Sequence, residues 1–220
     1  MVDLAVLVSG GGTNLQSIID SIESGRLHAR IKVVLSDNPE AYALQRAKRH
    51  GIPFEAVTKD AFPGKAAFNA EIVRVLKSYG VELVALAGYM RIVSKAVLDA
   101  FPMRVINIHP SLLPSFPGLA VQKKALEHGV KFSGCTVHFV DEGVDSGPII
   151  IQAAVPVLDG DTVETLSQRI LAEEHRIYPQ AIQLFSEGRL AVRGRRVYIK
   201  DSAPSGPAVE NPKATVFDDK

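Results

Sequence analysis

The sequence predicts an α/β fold: a doubly wound, mostly parallel sheet with helices on both faces and an antiparallel C-terminal portion. Strands covered on both faces read as unbroken apolar runs, and Leu4–Val8, Ile31–Leu35 and Leu83–Ala87 are such runs. Helical patterns alternate with them, which calls for right-handed crossovers and a parallel sheet. Past residue 100 the runs Val105–His109, Cys135–Val140 and Ile149–Val155 follow, and the last two can pair antiparallel across the turn Asp141–Pro148.

The helices follow from spacing and stop signals. Leu15, Ile18, Ile19 and Ile22 keep helical spacing and Gly25 ends the first helix; Glu40–His50 is stopped by Gly51, and Lys65–Tyr79 by Gly80. A long helix over Thr162–Glu187 is expected to be interrupted at Pro179. Leu190–Ile199 reads as a basic hairpin, and the sheet as a whole should hold about seven strands. Pro204, Pro207 and Pro212 among small and charged residues mark 201–220 as a disordered tail, leaving 1–200 as a single domain.

Composition narrows the function. With 46% apolar and 22% charged residues the chain is an ordinary globular one, which excludes wholesale disorder. Twenty-five Lys and Arg against 24 Asp and Glu leave +1, so no global charge draws it to nucleic acid or anionic lipid. The lone Cys135 forms no internal disulfide, and Asp3 stands where a secretory signal is basic, so the expected compartment is cytoplasmic. The longest apolar run, Leu83–Met90, falls far short of the roughly 18 residues of a membrane span.

Three constellations can carry chemistry. The first strand runs into Ser9-Gly10-Gly11-Gly12-Thr13-Asn14 and then a helix, where bare backbone N–H groups and the helix dipole suit a phosphate. The loop lacks a nucleotide P-loop ending and the third glycine of the dinucleotide fingerprint; a plain strand-to-helix turn is the alternative. Asn107 and His109 point to the same side at the carboxyl end of a strand, where α/β sheets place ligands, and Pro110, Pro114 and Pro117 stiffen the loop beyond. A satisfied core histidine is the alternative. In the turn Asp141–Pro148, Asp145 could favour the protonated form of His109 and orient its ring. Cys135 and His138, three apart on a strand, face opposite ways, so no metal is assigned. Arg189, Arg193, Arg195, Arg196 and Lys200 read more readily as a charged edge hairpin than as a nucleic-acid contact.

Five segments taken together, Ser9–Asn14, Ala87–Ile92, Asn107–Pro114, Gly143–Pro148 and Glu174–Pro179, resemble the phosphoribosylglycinamide formyltransferase family over about residues 2 to 200. The resemblance implies a formyltransferase-like fold and transfer of the formyl group of 10-formyltetrahydrofolate, a co-substrate, to the amine of glycinamide ribonucleotide in purine biosynthesis. It implies that Asn107, His109 and Asp145 are catalytic, that Gly12, Thr13 and Asn14 hold the substrate phosphate, and that Glu174 binds the ribose. Folate would lie against Met90, Arg91, Ile92, Val93, Asn107 and the loop Asp141, Glu142, Gly143, Val144 and Asp145, with Lys65 meeting its acidic tail. Ala120 stands where relatives often carry a polar residue. No metal, nucleic acid or membrane partner is expected, and the chain should be a monomer or homodimer. Methionyl-tRNA formyltransferase and formyltetrahydrofolate hydrolase share the Asn107–Pro114 motif, but they typically carry an added domain, which is not expected here. A non-catalytic nucleotide-binding module leaves Asn107, His109 and Asp145 without a purpose. Leu113-Pro114 is the expected cis peptide.

Overall fold

The computed structural model describes residues 1–202; the expected tail, apart from Asp201 and Ser202, lies outside the described residues. Among the described residues nine strands form one sheet in the order β3-β2-β1-β4-β5-β6-β7-β9-β8. Strands β1 (Val2–Val8), β2 (Ala29–Ser36), β3 (Phe54–Ala56), β4 (Leu83–Leu86) and β5 (Val105–His109) are mutually parallel. Strands β6 (Phe132–Phe139) and β7 (Ile149–Pro156) continue antiparallel, and the hairpin β8 (Leu190–Arg193) and β9 (Arg196–Ile199) closes the edge. The count exceeds the expected seven because β3 has three partly exposed residues and no apolar run, and because the basic hairpin joins the sheet through one pairing, Ile149 with Arg196.

Alternation along β1 explains the double winding. Leu4, Val6 and Val8 face one core with α1 (Thr13–Glu23), α2 (Tyr42–Arg49) and α6 (Val163–Ser186). Ala5 and Leu7 face a second core with α3 (Lys65–Ser78) and α4 (Lys95–Ala100). The chain winds outward from β1 through β2 and β3, then returns to β4 on the other side. Loops after β1 and β4 therefore flank the point where strand order reverses, the usual ligand crevice of such sheets.

Helix α6 runs through Pro179 without ending, against expectation. The proline removes one helical hydrogen bond, but Ile177, Tyr178, Ala181 and Ile182 are fully buried on either side of it and hold both halves against the sheet. The Tyr178 hydroxyl donates to Leu86 O at 2.9 Å, fixing the helix over the end of β4. The amino end of α6 is capped reciprocally by Thr162 and Thr165. Just before it, Arg169 grips Asp161 with two hydrogen bonds of 2.7 and 2.8 Å. The Arg169 bond, with further donors from Leu158 N–H and Thr165, holds the Asp161 carboxyl well below the usual carboxylate range. A depressed carboxyl stabilises the fold above its unfolded titration near pH 4 and loses that effect as pH falls through the lower folded value. Asp161→Asn should therefore cost about 1.5–3 kcal/mol at neutral pH, and the deficit should shrink on acidification in urea unfolding followed from pH 7 to 2. A pH-independent deficit would contradict this account.

Candidate active site

A cavity of about 550 Å³ opens at the carboxyl ends of the parallel strands. Asn14 of α1, the loop after β4, the end of β5, the residues before α5 (Val121–Glu127), the loop after β6 and Glu174 of α6 all line it. A second cavity of about 490 Å³ at the opposite ends, lined by Met1, Glu82 and Arg104 among others, gathers no comparable set of polar side chains.

His109 is 5% exposed and both ring nitrogens have neighbours. Nε2 donates to Phe116 O at 3.0 Å, and Nδ1 lies 3.4 Å from Asp145 Oδ2. The ring is thus anchored on one side by backbone and faces a carboxylate on the other. Asp145 is set by its own backbone, which takes the left-handed φ of 51° that Asp tolerates better than most residues. Its Oδ2 also accepts from Gly118 N–H at 2.8 Å. The preceding turn is braced by Asp141, which accepts from Gly143 N–H and the Ser146 hydroxyl. Arg195 donates to Ser146 O and Arg189 to Lys200 O, so the basic hairpin spends two of its cations on structure. The loop beyond His109 is tied down by Ser111, Thr136 and Gln152, and the Leu113-Pro114 bond within it is cis.

His138 belongs to this group, although sequence reasoning gave it no role. It stands directly across from Asn107 in the β5–β6 ladder. Its Nδ1 donates to Phe139 O at 2.8 Å, leaving Nε2 to accept from Asn107 Nδ2 at 3.3 Å. Burial pushes the His138 pKa down, outweighing the Phe139 carbonyl and Asp145. The 3.9 Å approach of Asp145 Oδ1 to Nε2 is therefore a contact with a neutral ring rather than an ion pair. This arrangement orients the Asn107 amide and leaves its second N–H free. The signal in the sequence was the strand alternation that set His138 opposite in face to Cys135. The Cys135 thiol is pushed up to about 12, chiefly by burial.

At the far end, Asn14 Nδ2 donates to Glu174 Oε2 at 2.8 Å. Burial raises the Glu174 pKa against the effect of that bond, and Asn14 Oδ1 is buried without a hydrogen-bond partner. Met90 and Ile92 are 67% and 73% exposed and, with Arg91, Val93, Asp141, Gly143, Val144 and Asp145, line the cavity. Gly12, Thr13, Glu142 and Lys65 do not. Gly12 and Thr13 directly precede Asn14 at the start of α1, with Gly12 at φ 72°. Glu142 pairs with Lys95 at 3.3 Å. Lys65 opens α3 one turn before Phe68, whose ring lies under the Arg91 guanidinium at 5.4 Å. Ala120 lines the cavity in a left-handed conformation at φ 55°. Among the described residues no cluster of His, Cys, Asp and Glu could hold a metal ion, and no helix is long and apolar enough to cross a membrane.

Residues 2–182 match the formyl transferase family model. The chain belongs to the formyl transferase family. The chain is 39% identical to phosphoribosylglycinamide formyltransferase of Escherichia coli, over 90% of its own length and 93% of the relative's. It is 49% identical to the trifunctional purine biosynthetic protein adenosine-3 of Drosophila pseudoobscura over 91% of its own length, but spans only 15% of that larger protein. Among solved structures, glycinamide ribonucleotide transformylase 1 of Symbiobacterium toebii superimposes with a TM-score of 0.89 at 60% identity, covering 90% of this chain and 94% of that one.

Proposed function

We propose that the protein transfers the formyl group of 10-formyltetrahydrofolate to the primary amine of glycinamide ribonucleotide. One observation carries the reading: Asn14 and Glu174 at one end, Met90–Val93, Asp141, Gly143, Val144 and Asp145 at the other, and Asn107 and His109 between them line a single cavity. The acceptor's phosphate binds at Gly12, Thr13 and Asn14 on the α1 amino end. Its ribose hydroxyls donate to Glu174 and to the orphaned Asn14 Oδ1. The folate ring lies against Met90–Val93 and the Asp141–Asp145 turn, and Lys65 faces its glutamate tail.

The acceptor nitrogen attacks the formyl carbon, and the carbonyl electrons move to oxygen. Asn107 donates its free N–H to that oxyanion, and His109 beside it stabilises the tetrahedral intermediate. The intermediate then expels the folate nitrogen. One proton leaves the acceptor ammonium and one reaches the folate nitrogen, with His109 Nδ1 as carrier and Asp145 stabilising the charged ring. The acceptor supplies the only nucleophile, so no covalent enzyme intermediate forms.

Mixing purified protein with 10-formyltetrahydrofolate and each acceptor, and following release of tetrahydrofolate by absorbance, tests the proposal. Release dependent on glycinamide ribonucleotide is expected. Release with water alone, or only with initiator tRNA, would overturn it. Glu174 gives a second check. A carboxyl raised by burial is one whose ionised form destabilises the fold, a cost absent at low pH that grows as pH rises through the folded value. Glu174→Gln keeps an acceptor for Asn14 and cannot ionise, so at neutral pH its melting temperature should rise by about 2–4 °C per kcal/mol relieved. Affinity for glycinamide ribonucleotide should fall. A lower melting temperature with unchanged affinity would remove Glu174 from the acceptor site.

A further inference from the structure

Asp37 is the first residue after β2, and its side chain is only 9% exposed. The turn it sits in does not need it. Ser36 and Asn38 close that turn themselves: the Ser36 hydroxyl donates to Asn38 O and accepts from Asn38 N–H, and Asn38 Oδ1 accepts from Glu40 N–H. Both Asp37 carboxylate oxygens instead reach across the end of β1. Oδ1 accepts from the Ser9 hydroxyl at 2.6 Å, and that hydroxyl in turn accepts from Met90 N–H at 2.9 Å. Oδ2 lies 2.7 Å from Arg91 Nε. The Nε–H does not point along this contact, which makes it an ion pair without a hydrogen bond.

Ser9 opens the glycine loop that leads to Asn14, and Met90 and Arg91 belong to the loop after β4. One carboxylate thus ties together the two loops that flank the reversal of strand order, and Ser9 N–H adds a bond to Gly88 O at 3.1 Å. A buried ion pair is weak evidence of stabilisation, because desolvation offsets the attraction. Its position, bridging the two sides of a crevice, calls for a different explanation.

We infer that Asp37 is a positioning residue that joins the acceptor-side glycine loop to the donor-side loop after β4, so that glycinamide ribonucleotide and folate bind with positive coupling. The inference rests on the proposed reaction. A ligand that orders one loop orders the other through Ser9 and Asp37, and the second ligand then meets less conformational cost. Coupling of this kind is reciprocal, so each ligand should tighten the other by the same factor, at least about fivefold.

Calorimetry on the full-length protein tests this with tetrahydrofolate, which carries no formyl group and permits no turnover. Each ligand is titrated alone and at saturation with the other. Asp37→Asn can still accept from Ser9 but loses the charge facing Arg91, so tetrahydrofolate should bind about fivefold or more weakly and the coupling should fall. Ser9→Ala keeps the Asp37–Arg91 pair and the backbone bond to Gly88 O but removes the hydroxyl that links Asp37 to Met90 N–H. It should lower the coupling factor by more than it lowers either ligand's own affinity, a pattern that a general loss of stability would not produce. A parent that binds both ligands with a coupling factor of one, or Ser9→Ala with the parent's factor, overturns the inference alone. A parent that binds neither ligand overturns the functional reading and this inference with it.

Discussion

Asp145→Asn should lower turnover by about 10²- to 10⁴-fold, the range of a general acid–base contribution, with the affinity for both substrates much less affected. The substitution is unusually clean at this position. Asn tolerates the left-handed backbone at φ 51° as Asp does, so no strain is added. Its amide oxygen can still accept from Gly118 N–H, which keeps the loop before α5 in place. What disappears is the negative charge 3.4 Å from His109 Nδ1, and with it the stabilisation of the charged ring while the intermediate collapses. His138 cannot substitute, because an imidazole, neutral here through burial, supplies no negative charge. Nor is Asp141 a ready replacement, since one of its oxygens already serves Gly143 and Ser146. Single-turnover measurement of formyl transfer beside calorimetric affinities separates the cases. Near-parental transfer would detach Asp145 from His109, and equal losses in affinity and rate would make it a structural residue.

The parts of the molecule governed by local pattern were legible in the sequence. The unbroken runs of β1, β2 and β4 and the glycine stops of α1, α2 and α3 announced a doubly wound sheet, because burial on both faces leaves little freedom in composition. Asn107 and His109 were legible because two polar groups ending an apolar strand at a ligand-binding edge need a reason. What escaped notice depends on register or on packing between distant segments. His138 becomes part of the site only once β6 is laid against β5 with His138 opposite Asn107. Asp37 meets Ser9 and Arg91 through the strand order β2-β1-β4, which spacing along the chain does not encode. Pro179 misled for the same reason, since its penalty is local and the burial that offsets it is tertiary.

Gly12→Ala should weaken glycinamide ribonucleotide binding by roughly 10²-fold, the scale of a small displacement in a positioning element, while leaving tetrahydrofolate affinity near the parent's. Two separate effects push the loop out of place. The backbone at Gly12 has φ 72°, where a Cβ costs about 1–2 kcal/mol. The added Cβ would also stand 2.6 Å from Ala43 Cβ and 2.9 Å from Ala43 Cα, closer than carbon atoms pack. Neither side can yield easily, because α2 is bound to the loop by Ala43 N–H to Gly10 O at 3.0 Å and Arg46 Nε to Gly11 O at 2.8 Å. The N–H groups that would face the phosphate at the start of α1 must therefore shift together with Asn14. A second substitution distinguishes this from simple destabilisation. Ala43→Gly removes the Cβ contact but leaves the Cα at 2.9 Å and the φ of 72°, and it weakens α2 by about 1 kcal/mol, so the double variant should regain part of the acceptor affinity without regaining the parent's melting temperature. Recovery of stability without recovery of affinity, or a single variant that melts early yet binds acceptor normally, would show that Gly12 shapes the turn and not the phosphate site.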